Sequence, residues 1–216
     1  MCGRFTLDTT ADSLARQFEL EVNESISSRY NIAPSQPLNV IAQKEAARSL
    51  VSMKWGLIPS WVKNLNSWKS NLINARVEIV TEKPSFRGAF KYRPCLIPAS
   101  GFYEWTKDKQ PYYFQVKERQ LFALAGLWES WSNGEDELIT CTIITTKANT
   151  EVAKVHHRMP VIIQPTDYDS WLGGLDDRKQ LLDTLPEVNL ELYPVSKKVN
   201  SPQNNTSDCI KPINSY

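Results

Sequence analysis

Histidine is nearly missing from this chain: there are two in 216 residues, adjacent at His156 and His157. Cysteine is scarce as well, and Cys2, Cys95, Cys141 and Cys209 lie far apart and form no C-x-x-C pair. A structural zinc site needs four ligands, usually in local pairs, so none is expected here. No apolar run approaches the roughly 20 residues of a membrane helix, which argues against a membrane protein. A basic stretch followed by an apolar core, the mark of a signal peptide, is also lacking. The expectation is a cytoplasmic protein with reduced thiols. Charge of neither sign is in excess: 25 Lys and Arg against 24 Asp and Glu leave a formal charge of +1. Non-specific nucleic-acid binders are usually more basic, so any such surface here must gather its positive charge on one face.

What is present reads as a globular chain, 41% hydrophobic and 23% charged, and its length suits one continuous core. A single domain over 1–216 is expected. In the first half, residues 5–7 read as extended, and a helix capped near Thr10 should run to Leu20. Residues 29–37 read as a Pro-bounded loop, 38–42 and 50–55 as strands, 62–70 as a polar loop around Trp68. Short helices are expected from Val77 and from Pro84 to Phe90. The second half alternates Val, Ile, Phe, Tyr, Trp and Thr with Gly, Asp and Asn turns. Strands are expected at 93–98, 101–106, 112–117, 121–131, 138–146 and 159–163. Helices are expected at 149–155, 165–172 and 176–185, with a polar loop at 199–212. The fold class that follows is α+β, with a curved antiparallel β-barrel-like core flanked by short helices.

Four stretches can carry chemistry. A small residue after the initiator Met allows Met1 to be removed, leaving Cys2 with a free α-amine and a thiol on adjacent carbons. Their unperturbed pKa values, about 7.7–8.0 and about 8.5, make both partly nucleophilic near neutral pH. Such a pair condenses with an aldehyde to an imine and then a thiazolidine ring; the plainer alternative is a buried small hydrophobe. In an extended backbone Asn74 and Arg76 share a face, an amide for a sugar or carbonyl and a guanidinium for a phosphate. They read equally as a turn Asn and a surface Arg. Glu104, in Gly101-Phe102-Tyr103-Glu104-Trp105, is either an outward-facing strand residue or a desolvated acid with a raised pKa. Strand alternation puts it on the Phe102 side. His156, beside Arg158, is a near-neutral proton shuttle or part of a basic helix C-terminus. Arg4, Arg76, Arg87, Lys91, Arg93 and Arg158 lie within or close to these stretches, and arginines there suggest an anionic ligand such as phosphate.

In order, the chain carries Met-Cys-Gly-Arg-Phe at 1–5, Tyr-Asn-Ile-Ala-Pro at 30–34, Trp-Gly-Leu-Ile-Pro at 55–59 and Asn-Ala-Arg at 74–76. Lys-Pro-Ser-Phe-Arg at 83–87, Gly-Phe-Tyr-Glu-Trp at 101–105 and His-His-Arg-Met-Pro at 156–160 follow. The set resembles the SOS-response-associated peptidase (SRAP) family of abasic site processing proteins. The resemblance implies an α+β domain with a positively charged channel for single-stranded DNA, acting in the DNA damage response and repair. It implies that Cys2 attacks the ring-opened aldehyde of an abasic site and forms a covalent DNA–protein crosslink. By motif position it assigns Asn74 to the abasic sugar, Glu104 to the Cys2 amine, and His156 to ring opening and crosslink reversal. Arg4, Arg76, Arg87 and Arg158 are assigned to phosphates and Trp68 to a base wedge. No metal or cofactor is needed, and a monomer, nucleoid-associated when on DNA, is expected. The rival readings are an N-terminal-nucleophile peptidase independent of DNA and a non-catalytic single-stranded DNA binder.

Overall fold

The computed structural model describes residues 2–44 and 47–213. Met1 lies outside the described residues, as do Glu45 and Ala46 in the turn expected between two strands. The chain opens with β1 (Phe5–Leu7) and α1 (Ala11–Phe18), followed by β2 (Arg29–Ile32), β3 (Pro37–Lys44), β4 (Ala47–Trp55) and β5 (Asn74–Arg76). Next come α2 (Arg87–Tyr92), β6 (Pro94–Ala99), β7 (Gly101–Trp105), β8 (Pro111–Val116), β9 (Phe122–Ser132) and β10 (Glu137–Lys147). The last elements are α3 (Thr150–Ala153), β11 (Arg158–Pro160), β12 (Ile162–Ile163), α4 (Tyr168–Leu172), α5 (Leu175–Asp183) and β13 (Leu190–Pro194).

Five strands close on themselves. β10 pairs with β4, β4 with β3, β3 with β6, β6 with β9, and β9 returns to β10. Closure leaves no free edge within the ring, which removes a site for unwanted strand addition. Its buried side chains, among them Val40, Leu96, Leu124 and Ile143, share one apolar core. A second, open sheet runs in the order β13-β8-β7-β1-β2. Its Phe102 and Phe114 rings stack at 4.9 Å within the same core. Close approach of β7 and β8 requires Gly101, because a β-carbon there would run into the Tyr113 ring. The expected mixed α+β class with a barrel core is the one found. Among the described residues no helix is long and apolar enough to cross a membrane.

Several boundaries differ from expectation for identifiable reasons. The barrel is not wholly antiparallel: β10 runs parallel to β4 and to β5. Helix α1 stops at Phe18, because Glu19 turns left-handed at φ 53° and its N–H bonds back to Ala15. The supposed loop at 29–37 begins as β2, which pairs with β1. The helix expected from Pro84 starts at Arg87, after a turn in which Phe86 N–H donates to Lys83 O. The apolar run at 159–163 divides into β11, on β10, and β12, on β9. At the crossing, Val161 N–H donates to Ile144 O while its own carbonyl accepts from Ala125. Strand β13 was absent from the expected elements. It pairs along its length with β8, and its half-polar Leu-Glu-Leu-Tyr pattern suits a sheet with one solvated face.

Candidate active site

The residues around Cys2 come from both sheets and meet at their seam. Strand β1 lies antiparallel to β7 with Phe5 opposite Phe102 and Thr6 opposite Gly101, and Tyr103 N–H donates to Arg4 O at 2.9 Å. Continued toward the N-terminus, this register brings Cys2 and Gly3 alongside Glu104. Cys2 is fully buried, its thiol directed at Arg4 O at 4.0 Å. From the barrel side, β5 is held parallel to β10, Asn74 opposite Ile143. Its Nδ2 donates to Cys2 O at 2.8 Å. The other amide atom, Asn74 Oδ1, is buried with no hydrogen-bond partner among the described residues. His156 sits between α3 and β11, its N–H bonded to Val152 O. Its Nδ1 lies 3.8 Å from Glu104 Oε1.

These groups are electrostatically unusual because of burial, which is complete for Cys2, nearly so for Glu104 and partial for His156. Glu104 is 3% exposed, so it is not the outward-facing strand residue that its sequence allowed. Burial pushes its carboxyl up to about 7, against an ordinary value of 4.5. Burial, then the nearby Glu104 charge, push the Cys2 thiol far above its ordinary range. Desolvation lowers the His156 value, favouring the neutral ring. Its Nδ1 lies 3.1 Å from both the backbone nitrogen and the carbonyl oxygen of Arg158. As expected from strand alternation, Phe102 joins the main core while Tyr103 and Trp105 join a separate cluster against the C-terminal segment.

The arginines divide into two kinds. Arg76 and Arg87 are exposed. Arg4 donates to Asn31 Oδ1 and Val199 O, both at 2.6 Å, and lies over the Trp105 ring. Arg158 is buried and engages both carboxylate oxygens of Glu78, together with Thr145 O at 2.5 Å. Trp68 is half-buried in a small apolar cluster, edge-on to Trp61 at 5.7 Å. Trp61 is the more exposed ring, at 57%.

Two supporting residues escaped sequence reasoning. Glu78 follows Asn-Ala-Arg by two positions, and that short spacing to Arg76 was the only available signal. Asn31 is buried, and its amide donates to Val199 O, Ser201 O and Asn204 O. It thereby fastens the C-terminal segment over the start of the chain. Nothing local marks it beyond its place in Tyr-Asn-Ile-Ala-Pro. Among the described residues no group of three or more His, Cys, Asp or Glu could hold a metal.

Fold and site together define a closed mixed β-barrel with a cysteine next to the N-terminus, set between a carboxylate, an amide and an imidazole. The chain belongs to the SOS response associated peptidase (SRAP) family, whose model matches residues 1–202. It is 40% identical over 223 residues to the abasic site processing protein YoqW of Bacillus subtilis (strain 168), covering 98% of this chain and 99% of YoqW. It is 32% identical to the abasic site processing protein HMCES of Gallus gallus, covering 77% of this chain and 58% of that one. A crystal structure of a Bacteroides thetaiotaomicron protein superposes with a TM-score of 0.86 at 24% identity, covering 98% and 100% of the two chains. A phage-related protein from Bordetella bronchiseptica does so with 0.73 at 26% identity, covering 91% and 95%.

Proposed function

We propose that this protein processes abasic sites in single-stranded DNA, acting as a monomer and linking itself to the lesion through Cys2 once Met1 has been removed. The observation that carries the reading is the convergence of residues 2, 74, 104 and 156 on one seam, from four separate parts of the chain. The names of YoqW and HMCES support the same substrate.

Removal of Met1 turns the Cys2 nitrogen from an amide into an amine. That amine attacks the aldehyde carbon of the ring-opened sugar, and the adduct loses water to give an imine. The thiol sulfur then adds to the imine carbon, its proton ends on the nitrogen, and a thiazolidine closes. One C–N and one C–S bond form for one water lost. Each step moves a proton, and Glu104, with a carboxyl near 7, can take and return one at neutral pH. Neutral His156 exchanges a proton with the sugar as its hemiacetal opens. Asn74 Oδ1 accepts from a sugar hydroxyl. Arg76 and Arg87 hold flanking phosphates, fixing the aldehyde at reacting distance. Arg4 adds positive potential, whereas Arg158 is neutralised by Glu78, and both reach a phosphate only by exchanging a protein partner. Trp68 and its loop meet the bases beside the lesion.

The test is adduct formation with an abasic single-stranded oligonucleotide on a denaturing gel. Wild type should give a heat-stable adduct and Cys2→Ala none. An adduct of wild-type yield from Cys2→Ala would sink the reading, and peptide turnover without DNA would favour a peptidase.

A further inference from the structure

The reactive end of the chain is only lightly tied by its own backbone. Strand β1 begins at Phe5, so residues 2–4 lie ahead of the strand that would fix them. Among the described residues one backbone hydrogen bond joins them to β7, from Tyr103 N–H to Arg4 O at 2.9 Å. The Asn74 amide adds a hold at Cys2 O. A reaction that needs amine, thiol and carboxylate in one geometry leaves little room for this end to swing, because a misplacement of about 1 Å can cost about 10²-fold in rate.

A further hold comes from the other end of the chain. Residues 199–205 bond to the lead-in of β1, to β2 and to β7. At the lead-in, Arg4 Nη1 donates to Val199 O and to Asn31 Oδ1, both at 2.6 Å. In β2, Asn31 Nδ2 donates to the carbonyls of Val199, Ser201 and Asn204 at 2.7–3.1 Å. The backbone N–H groups of Tyr30 and Asn31 both donate to Asn205 Oδ1, at 2.8 and 3.2 Å. In β7, Trp105 Nε1 donates to Asn200 Oδ1 at 2.8 Å. Val199 and Cys209 pack with Tyr103 and Tyr113 in one buried apolar cluster. The C-terminal segment thus grips Arg4, two residues from Cys2, and both chain neighbours of Glu104. Strand alternation turns Tyr103 and Trp105 away from the Glu104 face, so the grip acts from behind the sheet and leaves the reacting face open. Asn200 and Asn205 are exposed residues, yet their amide oxygens are engaged inward.

We infer that residues 199–205 form a clasp that positions Cys2 against Glu104, with Asn31, Asn200 and Asn205 as positioning residues. They act through Arg4 on one strand and Trp105 on the other, setting how the residues before β1 lie along β7. This rests on the reading of Cys2 as the nucleophile, and it gives the far end of the chain a part in the chemistry.

The test follows adduct formation by the full chain on an abasic single-stranded oligonucleotide as its concentration is raised to saturation. Asn200→Ala combined with Asn205→Ala removes two acceptors at exposed positions and should leave the circular dichroism spectrum unchanged. The saturated rate should fall by about 10- to 100-fold, with the half-saturating concentration near wild type. Asn200→Asp combined with Asn205→Asp keeps both acceptor oxygens and should recover most of the rate. Asn31→Ala, which frees the clasp at its centre, should slow the step at least as much as the alanine pair. A saturated rate at the wild-type level in the alanine pair, or a loss that the aspartate pair does not recover, would overturn the clasp while wild type still forms Cys2-dependent adducts. Failure of wild type to form an adduct would overturn the clasp and the Cys2 reading together.

Discussion

Two buried ionisable groups, Arg178 in the core and Glu104 at the seam, meet burial in opposite ways. Arg178, on α5, is 1% exposed. Its guanidinium donates to Trp171 O, Phe90 O and Gly173 O at 2.5–2.7 Å and lies over the Phe90 and Trp171 rings. Burial brings its pKa down to about 10, so it stays charged at neutral pH. Glu104 is also desolvated, yet burial sets its carboxyl near 7, where both protonation states are populated. The first arrangement ties together α2, α4 and α5 and does nothing else. The second sits beside a thiol and an imidazole and can exchange a proton at little cost. Burial alone therefore does not mark a reactive group; the useful sign is a carboxyl near neutrality beside groups that can use its proton.

Exchanging one group at a time separates the two roles. The largest effect is expected from Glu104→Gln on chemistry: adduct formation should slow by about 10²- to 10⁴-fold, while gel-shift affinity for the oligonucleotide stays near wild type. Equal losses in both assays would remove the proton-transfer role. Arg178→Met should show the converse. It leaves three buried carbonyls without their donor and should cost about 3–5 kcal/mol in urea unfolding. The folded fraction should still form adducts at the wild-type rate. The smallest effect is Glu104→Gln on stability. Between pH 4.5 and about 7 the folded chain holds the Glu104 proton that the unfolded chain gives up. The wild-type contribution is thus greatest at or below pH 4.5 and declines as pH rises to about 7. The variant, which cannot ionise, should be more stable than wild type above pH 7, by up to about 3 kcal/mol. That advantage should vanish near pH 4.5; an advantage independent of pH would contradict the raised carboxyl.

The sequence made the centre of the site more legible than its supports. Glu104 could be placed on the Phe102 side of a strand from its alternation alone, although its burial had to await β1 and the seam. Asn74 and Arg76 read as alternate residues of an extended segment, and they occupy β5. Asn31 and Glu78 were opaque because their partners lie far along the chain: Asn31 binds carbonyls at 199–204 and Glu78 binds Arg158. A polar residue buried by a distant partner looks like any surface polar residue. Strand β2 was hidden by the prolines that follow it at 34 and 37, which made the whole of 29–37 read as a loop, and β13 is an edge strand with a polar alternate position. The 159–163 run was visible as strand, but nothing local showed that its ends serve different neighbours.

The central claim is that the amine and thiol of a freed Cys2 together capture a sugar aldehyde, and mass spectrometry of the protein after incubation with an abasic oligonucleotide tests it most directly. The expected species begins at Cys2 and carries the oligonucleotide less one water. A covalent adduct on a chain that still retains Met1, or one mapped to a residue other than Cys2, would contradict the account.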